Sequence, residues 1–562
     1  MSHISKEAVK KNYPGPSRSH AASVYRLGGL LVALGVTSFA FILYLGTLAP
    51  TVLHYERPEL IDAAMLQVHA SVLGITQPTG YPTWTMLAHL FTYLPFGDPA
   101  YRANLASAAF GAAAVFVLFF ATRLLSGRIW AAAAGSLAFA VGNVFWSQAV
   151  IAEVYTLNAL FVTAIVFVLL LWRDTRQDRY LLAAAFLMGL SLTNHVTSGL
   201  LLPTAALFVF TVDRRKLLNW RLVLVGAGLF VLGLAPYLYL PVRALIGPPV
   251  YEADPSSFAR FFELVAGREF GIRFGTFGWD EFLSRLVSLW GYLGEEFHPG
   301  LLLVAAVGVV VMLLRDRAGA LLLGIPFLGW LVYAIGYDIF DYFIYFIPSY
   351  LILALFVAVG AATVLEGAER LVARTPPLLR TATPVLVSIA LLYLAVADVG
   401  EDYSLEDRSR DLAGRRIVEA VAEKTEPNAT VLHHRSPLPY MILVEERRAD
   451  LTLVSPWYPA QNPMRVWSAS SPPDDEYPAA KSVGSNGVAD ARVAARKGPV
   501  YALGSNLDLC NFQNTGFSVV RVEGDLLYEI VPPDGAAYTG PEEQQGMVVE
   551  PGRVTDETVN CS

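Results

Sequence analysis

Cysteine is close to absent: two residues, Cys510 and Cys561, serve 562 positions. That excludes a disulfide-dense secreted scaffold, although an oxidising compartment would let this one pair form. Cysteine and histidine nowhere fall at the spacing of a zinc site. Charge is also scarce. Only 16% of residues are charged against 54% hydrophobic, well short of the roughly 25% charged residues of a soluble globular domain. Nor do basic residues predominate, since 41 Lys and Arg face 48 Asp and Glu, a net charge of −7. Without a basic stripe, nucleic acid is not an expected partner.

Long apolar runs are what the chain has in abundance. Runs of about 17–25 apolar residues predict transmembrane helices, here at 27–48, 103–125, 129–147, 151–172, 180–195, 198–212, 219–241, 299–314, 318–336, 342–365 and 383–399. The fifth and sixth are short, and one long helix over 180–212 is the alternative. Arg173, Arg176 and Arg179 precede that stretch, and Arg214, Arg215 and Lys216 follow it. Both its ends therefore belong on the cytoplasmic side, which favours two spans. Arg123, Arg128, Arg315, Arg317, Arg370, Arg374 and Arg380 fall on the same side as the basic amino-terminal segment, residues 1–26. About eleven spans result, with the amino terminus cytoplasmic, an uncleaved first anchor, and the carboxyl-terminal region outside a bacterial-type cell membrane.

The polar chain then gathers on the outer face. The membrane domain covers 27–399, with outer loops at 49–102 and 242–298. Residues 400–535 predict an extracytoplasmic α/β domain, and 536–562 a flexible tail. Within the first loop, Glu59 to Leu73 fits a short helix lying on the membrane surface, followed by a turn at Gln77-Pro78-Thr79-Gly80-Tyr81-Pro82. In the outer domain, helices at 411–423 and 437–447 alternate with strand-like runs at 429–432, 451–454, 500–503, 518–521 and 526–531. Residues 460–495 have loop composition.

Acids held beside a bilayer are costly unless water, a partner or a task stabilises them. Glu56, Glu59 and Asp62 lie within seven residues, just past the first span. Other outer helix ends are polar too. Glu153 precedes Tyr155 at a helix start, where helix-end electrostatics alone would favour an acid. Asn194-His195 forms the turn between the two short spans, where His195 is either a structural group or a ligand. Arg243, ending the seventh span, either snorkels to water or holds an anionic headgroup. Arg268 lies further along the same loop. Such a constellation suits a sugar transferase with a lipid-linked donor. A carboxylate takes the proton of the acceptor hydroxyl, and cations stabilise the departing lipid phosphate. Arginine suits phosphate because its planar fork makes two hydrogen bonds. A divalent metal could assist, but the residues call for none.

Thr47-Leu48-Ala49-Pro50-Thr51, the acidic loop, Gly80-Tyr81-Pro82, Pro95-Phe96-Gly97, Tyr101-Arg102-Ala103-Asn104, Glu153-Val154-Tyr155 and Thr193-Asn194-His195 occur in one order. In that order they resemble the membrane proteins grouped with the protein O-mannosyltransferase of transmembrane-protein-260 type, in the GT-C glycosyltransferase superfamily. Tyr237 to Arg243 and Gly267-Arg268 extend the likeness, which covers roughly residues 40–275. The resemblance implies a GT-C membrane core, a polyprenyl-phosphate-sugar donor with a mannose-like sugar, and a protein or glycan acceptor. Two departures stand out. The family's Asp-Ser-Gly-Glu-Leu is Glu56-Arg57-Pro58-Glu59-Leu60 here, and its His-Pro-Pro-Gly-Tyr-Pro is Gln77-Pro78-Thr79-Gly80-Tyr81-Pro82.

Glu56 takes the family's first-acid position and is the expected base, with Glu59 sharing that role or placing the acceptor. Arg243, Arg268 and His195 are the candidates for the donor phosphate. Tyr81, Glu153, Tyr155 and Asn194 are the candidates for the sugar pocket. The rival is a flippase or transporter of lipid-linked sugars, which would place ionisable residues near the bilayer midplane and show internal repeats.

Overall fold

The computed structural model describes residues 27–55, 60–271, 273–455, 467–468, 490–492, 494–504, 507 and 509–533. Among these, eight helices are long and apolar enough to cross a membrane, or up to ten if each of two bent pairs counts as one span. The expectation of eleven is too high by at least one. The predicted 180–195 span is the fifteen-residue helix Asp178–Leu192, about 22 Å long at 1.5 Å per residue and short of the roughly 30 Å hydrocarbon layer. It does end at Thr193, separate from Val196–Asp213, so the 180–212 stretch is two elements. The 129–147 run breaks into Ile129–Ala140 and Asn143–Ala149, bent by 66°, and Trp279–Glu296 turns through 108° into Pro299–Arg315.

Apolar composition drives these helices together, and local chemistry sets their ends. The Pro99–Ser126 helix starts where the Asp98 carboxylate accepts the Tyr101 N–H at 2.7 Å, with proline at its first position, and it stops at left-handed Gly127. Small residues then permit close crossings. A Cβ on Gly360 would collide with the Val304 carbonyl oxygen, and one on Gly308 with that of Phe356. The helices Pro299–Arg315 and Ile347–Leu371 thus meet backbone to backbone. Gly189 and Gly233 make the same reciprocal contact between Asp178–Leu192 and Trp220–Gly233.

The carboxyl-terminal region forms a five-stranded sheet in the order Thr452–Val454, Thr430–Leu432, Val500–Leu503, Leu527–Val531, Ser518–Glu523. The first three strands are parallel and the last two pair antiparallel. Helices Ala413–Lys424 and Leu438–Leu443 accompany it. Cys510, in the helix Leu509–Asn514, is disulfide-bonded. Cys561, most of the 460–495 stretch and the 536–562 tail lie outside the described residues.

This sheet domain shares its core with the outer loops. Val52, Met65, Val68, Ala100 and Val250 bury together with Ile417, Val418, Val431, Leu438 and Tyr440. Gly414 lies so close to the chain at Val52 and Leu53 that a Cβ would strike their carbonyl oxygens. Arg415 donates to Thr51 Oγ1 at 3.0 Å and to Asp98 at 3.2 Å. The Ala100 N–H donates to the Tyr440 hydroxyl at 3.3 Å.

That cover overturns one expectation. The helix after the acidic loop, Ala63–Val72, does not lie on a membrane surface, because residues from Ala63 to Ala70 are all buried. Leu438–Leu443 packs on one side of it and Pro99–Ser126 on another. Its apolar positions found a protein lid where the sequence alone offered only lipid. Beyond it, Val250–Tyr251 runs alongside Ile75 and brings the second outer loop against the first.

Candidate active site

Several of the sequence candidates meet at the helix ends on the side of the sheet domain. The Tyr81 ring stacks on His195 with centroids 6.1 Å apart and planes 10° from parallel. Tyr155 lies 5.5 Å from the same imidazole, and Tyr345 closes a third side at 5.8 Å. Tyr81 holds a left-handed backbone, φ +36°, a conformation that a non-glycine residue keeps only under firm tertiary constraint. The constraint is visible: Thr83 N donates to the Thr193 carbonyl at 3.3 Å, and the two threonine hydroxyls lie 2.5 Å apart. Asn194 donates to the Val154 carbonyl at 3.2 Å, which ties the histidine turn to the Glu153 turn.

Glu153 is almost wholly buried, with Val154 N donating to its carboxyl oxygen at 3.3 Å. Burial pushes its pKa well above the carboxylate range, and nearby Asp62 and Asp341 push it further, against the pull of Val154 N–H and Arg435. The shift favours the protonated carboxyl, the form that can donate a hydrogen bond. Glu153→Gln is therefore expected to keep transfer within about tenfold, because the amide also donates, whereas Glu153→Ala loses about a hundredfold. Turnover at saturating donor checks this; equal losses in both variants would mean that a negative charge is required.

Burial lowers the pKa of His195 to about 4, which disfavours its cationic form. Its Nδ1 lies 2.7 Å from the Thr197 hydroxyl. The rings of Tyr81, Tyr155 and Tyr345 wall it on three sides.

The two arginines have protein partners of their own. Arg243 Nε donates to the Leu73 carbonyl at 2.8 Å and Nη2 to that of Val72 at 3.3 Å. It clamps the left-handed end of Ala63–Val72, so two of its donors are already committed. Arg268 is exposed and paired with Glu263 at 3.2 Å. Arg243→Ala is expected to cost about 1–3 kcal/mol of stability, the scale of a buried carbonyl left without its donor. Affinity for a polyprenyl-phosphate analogue should not change; thermal unfolding and direct binding in detergent read the two effects separately.

The cation that does meet the acids was missed from sequence. Arg435 Nη2 lies 2.6 Å from Asp62 Oδ1, and Nη1 lies 3.1 Å from Glu252 Oε1. Its Nε donates to the Ile61 carbonyl at 3.0 Å. The other Glu252 oxygen lies 3.1 Å from His69 Nε2. Burial works to raise the pKa of Glu252, but Arg435 and His69 overcome it and hold the carboxyl below its usual value. One signal was available. Arg435 lies just past the carboxyl end of the parallel strand Thr430–Leu432, the edge at which open α/β sheets present functional groups. Tyr345 and Asp341 were missed as well, in the aromatic run after Arg317–Gly336. Glu56 and Glu59 lie outside the described residues. Among the described residues, no group of three or more His, Cys, Asp or Glu is placed to hold a metal ion.

Fold comparison identifies the scaffold. ArnT from Cupriavidus metallidurans, solved bound to undecaprenyl phosphate, superposes with a TM-score of 0.59 at 15% identity. The match covers 90% of this chain and 98% of that one. The fold is the ArnT-like GT-C fold. Residues 62–218 match the family described as Protein O-mannosyl-transferase TMEM260 N-terminal domain. The mouse Protein O-mannosyl-transferase TMEM260 is 32% identical over 269 residues, 47% of this chain and 37% of that protein. The Dictyostelium discoideum tmem260 is 20% identical over 443 residues, 70% of this chain and 54% of its own length. The chain thus spans about half or less of these curated relatives. Both are eukaryotic, so they lend nothing to a bacterial setting. The site residues of the GT-C scaffold described above fall largely in the TMEM260-like stretch, with Tyr345, Asp341, Glu252 and Arg435 beyond it.

Proposed function

We propose that this chain is a membrane glycosyltransferase that moves a mannose-like sugar from a polyprenyl-phosphate donor to an acceptor hydroxyl. The observation that carries the reading is the cluster of Glu153, Asp62, Tyr81, Tyr155, His195 and Tyr345, brought together from separate helix ends on the side capped by the α/β domain. Carboxyl groups suit sugar hydroxyls, and ring faces suit the apolar face of a pyranose. Glu56 takes the acceptor proton as the acceptor oxygen bonds to the anomeric carbon. The bond from that carbon to the phosphate oxygen breaks, and its electron pair leaves with the polyprenyl phosphate.

The names of the curated relatives support a protein acceptor and mannose, and the lipid bound by ArnT supports the donor class. The site faces the non-cytoplasmic side of the plasma membrane; labelling of single cysteines in the α/β domain from outside intact cells checks this. Activity is tested with purified protein and a polyprenyl-phosphate sugar labelled in the sugar. Label should pass to an acceptor or be released to water. Movement of intact donor across a liposome without such release would replace the transferase with a flippase.

A further inference from the structure

We infer that Arg435 is the positioning residue for Asp62, and that the α/β domain is in this way a working part of the catalytic centre. The inference rests on the transferase reading above. Three separate stretches of chain end on this one guanidinium: the first outer loop through Asp62 and the Ile61 carbonyl, the second through Glu252, and the α/β domain that supplies the arginine. Arg435 is 4% exposed and left-handed at φ +41°. Its loop is fixed locally, with Ser436 Oγ 2.9 Å from His433 Nδ1 and accepting the Leu438 N–H at 3.3 Å.

Charge explains why an arginine is needed. Asp62 and Glu252 would otherwise repel each other in a buried setting, and a rigid planar fork holds two carboxylates in fixed directions better than a freely rotating ammonium does. Asp62 stands at the start of the helix Ala63–Val72 with Arg435 Nη2 2.6 Å away, and it bears electrostatically on Glu153 and Tyr81. Burial raises the pKa of Asp62 and Arg435 pulls it down, so the arginine both orients this carboxyl and favours its charged form, with no need to touch substrate itself.

Arg435 is one of several contacts that dock the domain. Gly414 packed on Val52 and Leu53, Arg415 on Thr51 and Asp98, and Tyr440 on Ala100 N–H hold the domain elsewhere. Loss of Arg435 should therefore disturb the site before it disturbs assembly, which separates a positioning role from a merely structural one.

The test uses the full chain in detergent with a polyprenyl-phosphate sugar, comparing Arg435→Gln, Arg435→Lys, Asp62→Asn and the double variant Asp62→Asn/Arg435→Gln. Expected is a fall in kcat of about tenfold or more for Arg435→Gln, with donor KM within about threefold, and partial recovery in Arg435→Lys. The double variant should be no worse than the more damaged single variant, because coupled residues are not additive. If Arg435→Gln does not fold, the lysine variant paired with Asp62→Asn gives the same cycle. Unchanged kcat in a folded variant, or losses that add in the double variant, would overturn the inference. A wholly inactive panel, wild type included, would instead remove the transferase reading on which it stands.

Discussion

Glutamine at position 56 is expected to lower transfer turnover by between about a hundredfold and ten-thousandfold, the range spanned by removal of a positioned general base. The substitution keeps the size and hydrogen bonding of the side chain and takes away only the proton acceptor. Among the described neighbours in sequence, Leu53, His54 and Leu60 are buried, and Tyr55 rests against Phe340 with ring centroids 6.4 Å apart. Donor binding should survive, since a general base acts on the acceptor hydroxyl. Glu59→Gln should cost less if that acid only places the acceptor. Glu56→Asp, which restores the first acid of the resembling family, should keep most of the activity. Single-turnover transfer at saturating donor, alongside donor binding, measures all three; wild-type turnover in the glutamine variant would end the assignment.

The second large effect concerns folding. Gly360→Val is expected to destabilise the membrane domain by about 3 kcal/mol or more, because an added Cβ meets the Val304 backbone carbonyl and neither helix has a side chain that can yield. Gly308→Ala should act in the same direction, since its Cβ meets the Phe356 carbonyl. Gly324 is the control. Nothing lies within 4 Å of a Cβ there, so Gly324→Ala should be neutral or stabilise by roughly 0.5–1 kcal/mol through helix propensity. Thermal unfolding in detergent ranks the variants. Equal melting of the valine variant and the wild type would mean that the two helices are free to separate at this crossing.

The readable parts of the chain were those where one local rule dominates. Apolar length marked the helices, and period-two alternation marked the strands of the outer sheet. Tyr81, Glu153, Tyr155, Asn194 and His195 were legible because polar groups at the outer ends of apolar helices have few other reasons to be there. What escaped depended on docking. Nothing local in Ala63–Val72 distinguishes a helix under lipid headgroups from one under a protein domain, since both want an apolar face. Arg435 lies in a stretch that reads as an ordinary water-soluble fold, and its importance arises only when that fold is set upon Asp62 and Glu252. Arg243 and Arg268 show the same ambiguity. A cation at a helix end is equally suited to a phosphate, a backbone carbonyl or a neighbouring acid, and the sequence does not say that carbonyls lie beside Arg243 and a carboxylate beside Arg268.

One peripheral helix has a reach beyond its own packing. Trp220–Gly233 meets the rest of the molecule chiefly at its glycine crossing with Asp178–Leu192, and most of its side chains face outward. The segment that continues it carries Tyr237, Tyr239 and Arg243, whose donors end on the carbonyls of Leu192, Gly74, Leu73 and Val72. An apolar helix answers a change in bilayer thickness by tilting. A tilt about the glycine crossing is therefore expected to reach the chain that leads into the turn bearing Tyr81, and turnover in bilayers of different acyl length checks this.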